Sequence, residues 1–395
     1  MSLNETPSAN RLHIGFFGRR NSGKSSLVNA LAGQQVTIVS DVKGTTTDPV
    51  SKAMEIHGLG ACVLVDTAGF DDNEGELGRL RVEKTRLAAE KTDIAVLLFS
   101  SADAQQELTW YQLFQQKKTP VLCVISRAEE DEQQTFDAVL RATGAPPMKV
   151  SPFDRASVEA LRQALCRMLP EDFEQPSITG ALVSKGDTVM LVMPQDIQAP
   201  KGRLILPQVQ TIRDLLDNRA NVVCTTTEQM PVALQALSKP PELIITDSQV
   251  FKEVYQKKPA QSRLTSFSVL FAALKGDLVY YLESVKMVPS LSESSRVLIA
   301  ECCAHAPLSE DIGRVKIPRI LRRLAGDNIS IDIVGGTDFP QDLTPYALII
   351  QCGACMFNRK YVLSRIERAK QQGIPMTNYG VFLAHAAGIL DKISL

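Results

Sequence analysis

Gly18-Arg19-Arg20-Asn21-Ser22-Gly23-Lys24-Ser25 constrains this chain more than any other stretch. It follows a strand-like run, RLHIGFFG, and opens a helix-like one, SSLVNALAG. The spacing fits G-x-x-x-x-G-K-S/T, and strand before, helix after is the context in which that pattern cradles phosphates. Gly18 and Gly23 permit a tight turn whose amides face the phosphate oxygens. Lys24 is expected to reach the β- and γ-phosphates, and the Ser25 hydroxyl to bind Mg²⁺. Asn21, Ser22 and Ser26 complete the expected nucleotide-contacting set. Such a loop belongs to an α/β unit with a parallel sheet.

The rest of residues 11–170 reads the same way. ACVLVDTAG, IAVLLFS and PVLCVIS are strands, separated by helix-like ELGRLRVEKTRLAAEK and closed by VEALRQALCRML. Strands joined by helical crossovers form parallel sheets. PEDFEQPS at 170–177 marks a boundary. A second α/β unit follows, from DTVMLVMP to QVFKEVYQKK, and KPAQSRL at 258–264 reads as the next boundary. The third unit begins with helical LTSFSVLFAALKGDLVYYLESV and continues through strands RVLIAECC, ISIDIVG and YALIIQCG. The expected fold class is α/β: a P-loop domain at 10–170, then two smaller α/β domains at 178–260 and 262–395.

Composition narrows the class. Lys plus Arg is 43 and Asp plus Glu is 44, a net charge of -1, which argues against a protein built to coat nucleic acid or anionic membrane. No apolar run approaches the ~18 residues of a membrane helix. The first residues, MSLNETPSANRLH, lack a basic-then-apolar signal segment. The expectation is a cytoplasmic chain with reduced thiols and no nucleic-acid or membrane partner.

Asp66-Thr67-Ala68-Gly69 ends the strand ACVLV. Asp66 there can hold the Mg²⁺ shell, and the Gly69 amide can sense a γ-phosphate. Between the two motifs, Lys43-Gly44-Thr45-Thr46-Thr47-Asp48 is a polar loop suited to ordering around Mg²⁺ and γ-phosphate. Thr45 and Thr46 are its nucleotide-site candidates, and Thr46 its metal ligand. Lys24, Thr46 and Asp66 form the expected catalytic set. The sequence of loop, Thr switch and DTAG resembles translation-factor-type GTPases, especially the branch that includes tRNA-modification and ribosome-assembly GTPases. That branch reads guanine with N-K-x-D after a strand, whereas this chain has Ser126-Arg127-Ala128-Glu129. Glu129 can still accept from guanine N1 and N2, and the stem of Arg127 can cover the base, while Ser126 is too short to replace Asn. Ser151 stands where the family has its last base-contacting loop. Phe70 follows DTAG where a water-orienting Gln would stand. An Asn matching Asn21 helps bind K⁺ in the resembling branch; Asn also suits left-handed turns.

The eight cysteines are unevenly placed. Cys303-Ala304-His305 follows one strand, and Cys352-Gly353-Ala354-Cys355 follows another and precedes a helix. Both groups sit at the carboxyl ends of strands, where α/β folds place ligands. Cys303, Cys352 and Cys355 supply three thiolates, and His305 or an open position the fourth. That set fits a [4Fe–4S] cluster with an exchangeable iron and equally a Cys₃His zinc site. Arg314, Lys316, Arg319, Arg322 and Arg323 form a basic face, solvated or docking an anionic group.

A P-loop GTPase followed by C-x-H and then Q-C-x-x-C resembles the [FeFe]-hydrogenase maturation GTPase family (HydF-like). LPQVQTIRDLLDN, ELIITDSQVF, LTSFSVLFA-LKGDL, EDIGRVKIPR, QCGACMFNRK and TNYG all look like its segments. The resemblance covers essentially the whole chain. It implies a GTPase domain, a dimerisation domain and an iron–sulfur domain, in a homodimer. It also implies a scaffold that takes a two-iron precursor from radical-SAM maturases and delivers it to apo-[FeFe]-hydrogenase. The family often has H-C-x-x-C, but Gln351 holds the His position here. Two other classes stay open: a K⁺-stimulated RNA-modification or ribosome-assembly GTPase with structural zinc, and a redox-sensing GTPase.

Overall fold

A computed structural model describes residues 7–33, 38–42, 49–71, 75–126, 132–169, 177–194, 204–302, 312–354 and 356–394. The chain divides into two compact units, 1–175 and 176–395.

The first unit runs β1 (Leu12–Phe17), α1 (Lys24–Gly33), β2 (Ile38–Val42), β3 (Val50–Ile56), β4 (Gly60–Asp66), α2 (Gly75–Lys91) and β5 (Ile94–Phe99). It continues with α3 (Gln105–Gln116), β6 (Val121–Ile125), α4 (Glu132–Thr143), β7 (Met148–Lys149) and α5 (Arg155–Arg167). The seven-stranded sheet has the order β2-β3-β4-β1-β5-β6-β7. From β4 to β7 the neighbours pair in parallel. Period-two alternation explains its burial on both faces. Ile94, Val96 and Leu98 pack with Leu27, Leu31 and Leu161 on one side. Ala95, Leu97 and Phe99 pack with Trp110, Phe114 and Val139 on the other. The sheet is not wholly parallel, because β2 and β3 add an antiparallel edge. VSKAMEI is only partly buried and too polar to read as a core strand. Its turn into β4 rests on Gly58 and Gly60, both at positive φ.

The second unit holds two four-stranded sheets, both parallel throughout. The elements of the first are β8 (Thr188–Val192), α6 (Leu206–Asp217), β9 (Asn221–Thr225), α7 (Met230–Gln235), β10 (Leu243–Thr246), α8 (Phe251–Lys257), β11 (Arg263–Ser266) and α9 (Phe267–Lys275). The second has α10 (Leu278–Val285), β12 (Arg296–Ala300), α11 (Ile317–Ala325), β13 (Ser330–Val334), β14 (Leu348–Gln351), α12 (Arg359–Gln371), β15 (Met376–Asn378) and α13 (Tyr379–Ala386). Segment 258–264 leads into β11, which pairs with β10. The apolar run LTSFSVLFAALK conceals a four-residue strand that passes directly into a helix, with Ser266 accepting from the Val269 amide as N-cap. Gly276-Asp277 separates α9 from α10. A Cβ at Gly276 would lie 2.6 Å from the Tyr281 ring, and Asp277 caps α10 through the Tyr280 amide. One apolar cluster joins the two sheets, from Met190 and Ile244 to Val297, Ile349 and Phe382.

Candidate functional site

The phosphate loop joins β1 to α1. Asn21 adopts φ 58° and Gly23 φ 92°, the left-handed turns that Asn and Gly accommodate. Gly18 is sterically required: a Cβ there would lie 2.7 Å from Ser22 Oγ and 3.0 Å from Leu98 O. The Ser22 hydroxyl is buried with no hydrogen-bond partner among the described residues. Lys24 is buried, and its Nζ donates to Gly18 O at 3.0 Å and Arg19 O at 2.6 Å. Burial pulls its pKa down, while Asp66 and Asp71 oppose that pull. Ser26 sits half-buried in the first turn of α1.

Asp66 ends β4, beside β1 in parallel register with Phe16. Burial raises its pKa, against a hydrogen bond from Ser25 and the charges of Lys24 and Lys52. Asp66 Oδ1 is buried without a hydrogen-bond partner among the described residues. An orphaned carboxylate oxygen beside a serine hydroxyl is hard-oxygen donor chemistry that suits Mg²⁺. Gly69 must also be glycine, since a Cβ would lie 2.6 Å from the Arg20 amide nitrogen. That amide donates to Asp71 Oδ1 at 2.7 Å, tying the phosphate loop to the segment after DTAG.

Two supports escaped the sequence reading. Arg19 reaches the buried Glu107 of α3, with Nε 2.9 Å from Oε1 and Nη2 donating to Oε2 at 3.1 Å. Burial raises the Glu107 carboxyl, opposed by the Arg19 charge and by hydrogen bonds. Phe70 stacks on Trp110 with centroids 5.5 Å apart, and Trp110 stacks on Phe17 at 5.7 Å. Trp110 thus anchors the residue that follows DTAG.

At the base end, Ser126 follows β6, and its buried hydroxyl has no partner among the described residues. Ser151 opens the turn into α5. Its amide donates to Ser157 Oγ at 3.1 Å, and its carbonyl accepts from that hydroxyl at 2.9 Å. Thr45, Thr46, Arg127 and Glu129 lie outside the described residues.

The cysteine site lies in the second unit, at the carboxyl ends of the adjacent parallel strands β12 and β14. Cys352 Sγ accepts from the Cys302 amide at 3.1 Å and the Ala354 amide at 3.4 Å. Two N–H groups are thus aimed at one sulfur, the kind of surrounding hydrogen bonding that tunes sulfur-bound metals. Ala354 holds φ 50°, the left-handed turn that directs its amide back to the sulfur. Cys302 is buried in the apolar core. Gln351 is buried too, and its Oε1 has no partner among the described residues. Cys303, His305 and Cys355 lie outside the described residues, among which no group of three or more His, Cys, Asp or Glu could hold a metal. The donor chemistry at Cys352 nevertheless fits a thiolate-bound metal. Arg314 Nε donates to Glu301 Oε2 at 3.0 Å, while Arg319, Arg322 and Arg323 share a surface pocket with Asp327. No helix among the described residues is long and apolar enough to cross a membrane.

Residues 13–127 match the model of the 50S ribosome-binding GTPase family. The tRNA modification GTPase MnmE of Psychrobacter arcticus is 40% identical over 106 residues, 27% of this chain and 22% of that protein. GTPase Der of Wolinella succinogenes is 44% identical over 99 residues, 24% of this chain and 20% of that one. The chain thus spans about a fifth of the length of these curated relatives. Among solved structures, Aquifex aeolicus Era bound to GDP·AlF4⁻ aligns at 16% identity and TM-score 0.34, covering 57% of this chain and 98% of that one. The G domain of T. maritima FeoB aligns at 19% and 0.32, covering 40% and 99%. Residues 178–276 match the hydrogen maturase F dimerization domain, and 279–394 the hydrogen maturase F tetramerization domain. With a GTPase domain in front of both, the chain belongs to the HydF-like family of hydrogenase-maturation GTPases.

Proposed function

We propose that this chain is a GTP-hydrolysing iron–sulfur scaffold that assembles or carries the two-iron precursor of the [FeFe]-hydrogenase active site. The observation that carries this reading is Cys352 Sγ receiving two backbone N–H groups at the carboxyl ends of β12 and β14. Cys303, Cys352 and Cys355 are its cluster ligands. His305 or a displaceable outside group takes the fourth position, since the amide of Gln351 is a poor iron ligand. A [4Fe–4S] cluster held there would offer one exchangeable iron, which a carrier needs.

In the G domain, Lys24 carries positive charge into the centre of the loop, where the β- and γ-phosphates of GTP bind. The amides of 18–26 cradle the phosphate oxygens, with Ser22 and Ser26 adding hydroxyls. Ser25, Asp66 and Thr46 would hold Mg²⁺, which when bound neutralises charge developing on the phosphates. The Gly69 amide senses the γ-phosphate, at a position where any side chain would strike Arg20. Arg127, Glu129 and Ser151 contact the guanine, less strictly than N-K-x-D would. Asn21 supports a K⁺ that assists hydrolysis. Hydrolysis acts as a switch coupled to partner exchange, not as a source of cluster chemistry. The dimerization and tetramerization matches support self-association, which we read as a homodimer at least. Radical-SAM maturases and apo-[FeFe]-hydrogenase are its partners, and the cytoplasm its compartment.

The test is delivery. Purified chain loaded by the maturases should activate apo-[FeFe]-hydrogenase, and the Cys352→Ala variant should not. Equal activation by both, or none with wild type, would overturn the scaffold reading. Tight zinc without iron would instead favour a GTPase with a structural zinc site.

A further inference from the structure

Lys275 ends α9, within the segment matched by the dimerization model. It is 5% exposed. Its Nζ donates to two carbonyls of the cysteine loop, Ala354 O at 3.2 Å and Phe357 O at 3.0 Å. That loop lies 79 and 82 residues away along the chain, in the segment matched by the tetramerization model. A last-turn lysine ordinarily serves its own helix end or solvent. This one is committed elsewhere, and its neighbour is tied to the same region: Arg359 Nε donates to Leu274 O at 3.2 Å.

The two carbonyls are informative. Ala354 presents its N–H to Cys352 Sγ and its C=O to Lys275. Ala354 makes both contacts at φ 50°, a region alanine resists. Bonds from a charged donor are stronger than neutral ones, so a lysine at both carbonyls offsets that strain. The same Nζ places a positive charge behind the sulfur-facing side of the loop.

We propose that Lys275 is a positioning residue for the metal site. It holds the Ala354 and Phe357 carbonyls so that the Ala354 amide faces Cys352, biases the site toward negatively charged thiolate–metal centres, and joins the end of α9 to metal binding. The proposal rests on the reading of Cys352 and Cys355 as metal ligands. It adds a role for a residue that touches no metal.

The test uses the full chain as wild type, Lys275→Met, Lys275→Gln and Lys275→Arg. Amide hydrogen exchange across 352–358 is read before metal addition. Iron stoichiometry and midpoint potential follow anaerobic reconstitution. Lys275→Met should exchange at least tenfold faster in the loop, load less iron and give any cluster a more negative potential, because the reduced centre loses a neighbouring positive charge. Lys275→Gln keeps two N–H donors without the charge, so it should retain loop protection yet show the more negative potential. Lys275→Arg should restore both. Unchanged loop exchange in folded Lys275→Met would overturn the clamp. Wild-type potential in Lys275→Gln would overturn the charge role. If wild type takes up no iron, the scaffold reading fails, while the exchange data still decide the clamp.

Discussion

Asp66→Asn should stabilise the nucleotide-free protein while disabling it. Asp66 is a half-buried carboxylate with one oxygen bonded by Ser25 and the other, Oδ1, buried without a partner among the described residues. A buried unsatisfied polar group costs about 1–3 kcal/mol. Asparagine removes the charge but keeps an amide that also wants a partner, and it forgoes attraction to Lys24 and Lys52. The net gain should be roughly 1 kcal/mol, or about 2–4 °C in Tm for a domain of this size. GTP hydrolysis should fall by on the order of 10²–10³, the cost of losing one charge-stabilising group. Differential scanning calorimetry without nucleotide gives the first quantity, and phosphate release with Mg²⁺ and K⁺ the second. A variant less stable than wild type, or one hydrolysing at the wild-type rate, would refute the reasoning.

Further outcomes follow from the same geometry. The raised Glu107 carboxyl keeps its proton to higher pH in the folded than in the unfolded state. It therefore favours folding at low pH, an advantage lost as pH rises from the ordinary carboxylate range through the raised value; Glu107→Gln should remove that part of the slope in urea melts. Trp110→Ala breaks the stack with Phe70 and Phe17 and should cost roughly 3–5 kcal/mol, with slower GTP hydrolysis; a Tm within a degree of wild type would contradict this. Gly69→Ala forces a Cβ within 2.6 Å of the Arg20 amide, so hydrolysis should fall even though the fold survives, as circular dichroism would show. Burial pushes the Cys62 and Cys123 thiols up to about 12 and raises Cys224 too, but only Cys224 of the three is exposed; native protein treated with iodoacetamide at about pH 8 should be labelled slowly at Cys224 and spared at the buried pair, since reaction needs an accessible thiolate.

Local patterns were legible in the sequence, and long-range pairings were not. Ile94–Phe99 reads as a strand because every residue is apolar and both faces are covered. The phosphate loop reads because two glycines, a lysine and a serine must occur at fixed spacing. Val50–Ile56 was missed because an edge strand is half exposed and its pattern weak. Arg263–Ser266 was missed because four residues running into a helix carry too little period to separate the two. Arg19–Glu107 and Lys275–Ala354 join positions 88 and 79 residues apart, and no single-sequence pattern marks such contacts. At the cysteine site, spacing pointed to the candidate cysteines. The amides aimed at Cys352 depend on the register of β12 against β14 and on the left-handed turn at Ala354, which only the fold supplies.

The central claim is that the cysteines hold iron. Anaerobic reconstitution of wild type beside a Cys303/Cys352/Cys355→Ala variant, read by metal analysis and electron paramagnetic resonance after reduction, tests it most directly. The account expects about four irons and a cluster signal in wild type, as a [4Fe–4S] centre requires, and neither in the variant. Tightly held zinc with no cluster signal, or the same iron content in both proteins, would contradict it.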